Sequence, residues 1–117
     1  MRRLAPLIIA LCAATLLTAC GGSGGSHPQV EIVQTDNGCT PVELTLAPNK
    51  TVTLVVHNQG QKDHEVEGIN GTKLQELLVP AGKTRQVNFT PSGKGDQIKC
   101  YIPGGSTTVI QIKPQQG

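Results

Sequence analysis

Aromatic side chains are almost missing from this chain, which has no Trp, one Tyr and one Phe among 117 residues. Its core must therefore be built from Val, Leu and Ile. Stacking on nucleic-acid bases needs aromatic platforms and a basic groove, and a formal net charge of +2 supplies neither, so nucleic acid is not expected as a partner. Methionine occurs only at position 1, so no thioether ligand survives removal of the initiator. Also missing are a nucleophile elbow, a Gly-rich phosphate loop and the ligand spacing of a hydrolytic zinc site. No enzymatic activity is expected. The length suits one small domain, and from Val30 onward no stretch carries the 3.6-residue apolar period of an amphipathic helix.

The N-terminus reads as a targeting segment over residues 1–19. Arg2-Arg3 form a short basic region, and Leu7 through Ala14 form an apolar stretch too short to cross a bilayer comfortably. It ends in Leu17-Thr18-Ala19-Cys20, which resembles the lipobox of bacterial lipoproteins. The resemblance implies cleavage after Ala19 and lipid attached to Cys20, hence a protein anchored to a bacterial membrane on its extracytoplasmic side. Residues 20–29 then form a linker, because Gly21-Gly22-Ser23-Gly24-Gly25-Ser26 has the composition of a flexible coil. Without Arg2 and Arg3 the basic residues fall from 10 to 8 against 8 acidic ones. A neutral domain has no field with which to steer a charged ligand.

Residues 30–114 read as the folded domain, and the pattern is all-β. Val30–Gln34, Val42–Leu46, Thr51–Asn58, Glu65–Ile69, Arg85–Thr90, Gln97–Ile102 and Thr107–Lys113 are short runs rich in Val, Ile, Thr and Leu. Turn chemistry separates them, as in Asp36-Asn37-Gly38, Ala47-Pro48-Asn49-Lys50 and Pro80-Ala81-Gly82-Lys83. About seven strands at this spacing predict a Greek-key β-sandwich or small barrel. Alternation assigns Val87 with Phe89, Val42 with Leu44 and Leu46, and Ile110 with Ile112 to the core. The unbroken run Leu54-Val55-Val56 predicts a strand covered on both faces. Leu74 to Leu78 is the one place where a single helical turn fits. His57 reads as a strand-end surface histidine.

Of four cysteines, Cys12 leaves with the leader and Cys20 takes lipid, so Cys39 and Cys100 remain in an oxidising compartment. Two such thiols usually pair, and a bridge over a loop of this length is worth roughly 4 kcal/mol by the chain-entropy account. The competing reading makes one or both sulfurs metal ligands.

Several segments in order carry a family resemblance: Asn37-Gly38-Cys39-Thr40-Pro41-Val42-Glu43-Leu44, Lys50-Thr51-Val52, Asn58, His64-Glu65-Val66-Glu67, Pro80-Ala81-Gly82-Lys83, and Cys100 before a closing strand. Together they resemble the cupredoxin-like domains, and most nearly the N-terminal cupredoxin domain of EfeO-type periplasmic iron-uptake proteins. The resemblance covers about residues 30–114. It implies a metal-handling role, with an iron or copper ion as cofactor and metal-uptake proteins as partners. A blue-copper site needs two imidazoles, a thiolate and a weak axial thioether. His64 and Cys100 supply one of each kind. Copper-binding cupredoxins place a second His and a Met shortly after the Cys, but Tyr101 through Thr107 contains neither. A different donor set lies in Asp63, His64, Glu65 and Glu67. Carboxylate oxygens with one imidazole suit Fe(III), Mn(II) or Cu(II), and Glu65 with Glu67 match a Glu-x-Glu of the EfeO-type domain. His64, Glu65 and Glu67 are accordingly the candidate metal ligands. On a strand, however, His64 falls on the face of Val66 and away from the two glutamates. Two functions of different class follow, a tethered metal-handling accessory domain and a metal-free interaction module. An electron carrier is the less supported third.

Overall fold

A computed structural model of the chain describes residues 26–116. The leader over residues 1–19, the lipid site at Cys20 and the linker up to residue 25 lie outside the described residues. Nine strands follow one another with no helix among the described residues: β1 Gln29–Thr35, β2 Gly38–Thr40, β3 Glu43–Leu46, β4 Val52–Asn58, β5 His64–Ile69, β6 Leu77–Val79, β7 Thr84–Phe89, β8 Asp96–Tyr101 and β9 Thr107–Pro114. The seven anticipated runs are all present. The two additions, β2 and β6, are three residues each and too short to show a period of two.

The strands form two sheets, one ordered β2-β1-β4-β7 and the other β3-β9-β8-β5-β6. Pairing is antiparallel except for β1 with β4 and β3 with β9. Each sheet turns one face inward, and the alternating positions fill the space between them with Ile32, Leu54, Val56, Val66, Phe89, Ile98, Ile110 and Ile112. Phe89, the only phenylalanine, is buried at 2% exposure. Strand β4 is buried at three consecutive residues, Leu54, Val55 and Val56, as the unbroken apolar run implied. Val55 points away from the core, between its cross-strand neighbours Glu31 and Gln86 on the outer face.

Two expectations are corrected. Val42 is 59% exposed rather than part of the core, because β3 begins only at Glu43 and Val42 lies on the approach to it, its carbonyl accepting from Gln111 N. The stretch from Leu74 to Leu78 forms no helical turn. Leu77 and Leu78 instead enter β6 and pair with Val66 and Glu65. Leu74 is held against β5 by the bond from Gly68 N to its carbonyl, 2.9 Å. That close approach requires a glycine, since a Cβ at Gly68 would overlap the Thr72 carbonyl. Tertiary backbone bonds outweigh the modest helix propensity of a five-residue run.

Candidate functional site

Strand β5 opens on His64, and its alternation divides the anticipated donors. His64 and Val66 face the interior, while Glu65 and Glu67 face outward and are half-buried. His64 is 1% exposed. Val66 is directly opposite Cys100 on β8, so His64 lies one diagonal step from Cys100 on the same inner face.

Around His64 the chain builds a polar pole between the sheets. Asn58 closes β4 and is buried; its Nδ2 donates to the carbonyls of Lys62, at 2.8 Å, and Val79, at 2.9 Å, and its Oδ1 accepts from Gly60 N at 2.9 Å. These bonds clamp the loop that leads into His64. The turn between β1 and β2 adds Asp36, whose carboxylate accepts from Gln61 N at 3.1 and 3.0 Å and faces His64 Nε2 at 3.4 Å. The backbone N–H of Gln61, with a smaller contribution from His64, holds the Asp36 carboxyl below its ordinary 3.8. Gly60 leaves the space this requires, since a Cβ there would overlap the Asp36 carboxylate.

Cys39 on β2 and Cys100 on β8 are at disulfide distance, with Cα atoms 6.4 Å apart, and join the two sheets. Gln34, on β1 and fully buried, donates from Nε2 to Cys100 Sγ at 3.4 Å. Two buried polar atoms at this pole have no hydrogen-bond partner, Gln34 Oε1 and His64 Nδ1. A native fold rarely leaves such atoms alone, because each forfeits its hydration without compensation. Gln34 went unnoticed in the sequence. Its signal was available there: in Ile32-Val33-Gln34 the alternation that buries Ile32 also buries Gln34, and a buried amide asks for partners.

The outer face of the same strands is differently furnished. Glu67 pairs with Lys99 at 3.7 Å, and Lys99 stacks its ammonium 4.0 Å over the Tyr101 ring. Tyr101 is opposite Glu65 and donates to Glu76 at 3.3 Å. The neighbouring Glu65 carboxylate first, then desolvation and the charges of Glu67 and Glu76, push the phenol above its ordinary value. Asp63 accepts from Ala81 N at 3.0 Å. His57 lies on the outer face of the other sheet, with Nδ1 2.9 Å from Thr84 Oγ1 and Nε2 3.4 Å from Glu31. His64, Glu65 and Glu67 are therefore not brought together, and no three His, Cys, Asp or Glu side chains among the described residues group as metal ligands.

Blue copper does not fit these residues. The Cys100 sulfur is engaged with Cys39 rather than free as a thiolate, His57 is turned away, and the segment after Cys100 has no imidazole or thioether. What persists is one inward imidazole with a bare Nδ1, beside a pair of sulfurs and a bare amide oxygen.

The two-sheet, all-β architecture is that of a β-sandwich domain. The chain belongs to the cupredoxin-like domain family, whose match spans residues 7–97. No curated protein matches the sequence. Among solved structures it is similar to auracyanin A, a "blue" copper protein from Chloroflexus aurantiacus, at 18% identity over 74% of this chain and 98% of that one, with a TM-score of 0.62. Auracyanin B is similar at 18% identity over 77% and 91%, with a TM-score of 0.61. Copper nitrite reductase from Nitrosomonas europaea is similar at 14% identity over 86% and 53%, with a TM-score of 0.58. At these identities the likeness is one of fold.

Proposed function

We propose that this protein is a membrane-tethered, extracytoplasmic cupredoxin-like domain that assists in handling iron or copper and does not carry electrons through a blue-copper centre. The tether rests on the Cys20 lipobox, and the link to metal uptake rests on the resemblance to EfeO-type domains. The observation that carries the reading is the unpartnered His64 Nδ1, fully buried one diagonal step from Cys100. Cys39, Cys100 and His64 do not form a ready-made metal group among the described residues; opening the Cys39–Cys100 bond would free two thiols on the same inner face as this imidazole, a soft set of the kind that suits Cu(I). Of the outer carboxylates, Glu67 pairs with Lys99 and Glu65 is opposite Tyr101, and they act at most as a second, weaker oxygen site for Fe(III) or Cu(II).

Titration of the purified protein with Cu(I), Cu(II) and Fe(III), before and after reduction with a phosphine, tests the reading. Tight Cu(I) binding by the reduced form, lost in His64→Ala, supports it. Absence of binding in both forms favours a metal-free interaction module, the reading suggested by the engaged sulfurs and the missing second imidazole.

A further inference from the structure

The two sulfurs of the inter-sheet pair have unlike surroundings. A shallow groove of about 360 Å³ opens on the surface beside the β1–β2 turn, bordered by Thr35, Asn37, Cys39, Thr40, Val42 and Thr108. Cys100 does not border it; its residue is 1% exposed against 4% for Cys39, and its sulfur receives the Gln34 amide. Thiol–disulfide exchange depends on which sulfur can be reached and on how well the departing sulfur carries negative charge. Here access falls on one sulfur and charge stabilisation on the other.

We propose that Cys39–Cys100 is a reducible pair that exchanges directionally with a dithiol, Cys39 being the sulfur attacked and Cys100 the leaving thiolate. A thiolate of the dithiol enters the groove and bonds to Cys39 Sγ. The Cys39–Cys100 bond breaks, and its electron pair stays on Cys100 Sγ, where Gln34 Nε2–H, already 3.4 Å away, donates to the new charge. The second thiol of the dithiol, deprotonated as Cys100 takes up a proton, then attacks the mixed disulfide and releases Cys39. Two electrons and two protons have passed from the dithiol, which leaves as a disulfide, to the cysteine pair. Gln34 acts as a positioning residue in this step. The proposal deepens the metal-handling reading, because it supplies the reaction that frees the two sulfurs beside His64. It is read from adducts rather than from metal, so either can fail without the other.

The test uses the oxidised full-length protein. Incubation with reduced glutathione, acid quenching and peptide mapping should place the adduct on Cys39 over Cys100 by about tenfold or more. Gln34→Leu should slow reduction by dithiothreitol about tenfold, the loss expected when a charged sulfur forfeits one hydrogen bond, without a matching rise in the global unfolding rate measured by hydrogen exchange. An adduct on Cys100, or an even split, overturns the direction of attack. Reduction of the unaltered protein at no more than its global unfolding rate overturns the proposal as a whole and leaves the pair a structural staple.

Discussion

The outer face of strands β5 and β8 and the buried pole beneath them differ in how fully their polar groups find partners. Outward, Glu67, Lys99 and Tyr101 pair with one another or with Glu76, in partial contact with water. Inward, Gln34 and His64 each leave an atom bare in a buried pole. Water covers the deficit of an exposed group at little cost, whereas a dry interior does not. The two faces therefore teach different things. The outer one is surface chemistry that many substitutions would tolerate, and the inner one holds two buried atoms without a protein partner.

The largest way to break the comparison is to remove the link that holds the inner pole together. Cys39→Ala with Cys100→Ala opens a loop with a sequence separation of 61 and should cost about 4 kcal/mol. For a domain of this size that lowers the thermal midpoint by on the order of 20 °C, as differential scanning calorimetry would measure. A shift of a few degrees would show that the sheets stay joined without the sulfurs.

A smaller effect comes from the rim of the same pole. The Asp36 carboxyl is held below 3.8 in the folded state, chiefly by the Gln61 N–H, so it contributes stability that is fully present above that ordinary value and lost as pH falls through the lowered folded value. Asp36→Asn should thus lower stability at neutral pH and flatten the acid limb of the stability profile below about pH 4. Denaturant melts from pH 2 to pH 7 check this, and parallel profiles for variant and parent would remove Asp36 as the latch on residues 60–64.

The smallest effect belongs to the outer face. Glu67→Gln breaks a pair that is about one-third exposed on each side, with N–O separation 3.7 Å. Stability should change by less than about 1 kcal/mol, and less still in high salt. A larger loss in a urea melt would mean that the outer face is more than surface, and would revive the Glu65–Glu67 pair as a site.

Much of the architecture was legible because strands with one buried face must alternate. Val87 with Phe89 and Ile110 with Ile112 fall on their inner face from spacing alone, and the same rule puts His64 on the face opposite Glu65 and Glu67, although residue type alone made all three candidate ligands. The short strands escape because three residues carry no period, which is why Leu74 to Leu78 also fits a single helical turn. Val42 was misplaced because alternation marks the face of a residue and not where its strand begins.

From sequence alone came the all-β class, the near-absence of aromatic packing, the two cysteines left to pair, and the incomplete copper ligand set after Cys100. Each depends on residue type and local order, which a chain carries whether folded or not. Tertiary structure alone decided that Gln34 reaches Cys100, that Asp36 reaches His64, and that Cys39 borders a groove and Cys100 does not. These are contacts between residues 66, 28 and 61 positions apart. Their existence depends on how two sheets pack, a property of the whole domain that no local pattern encodes.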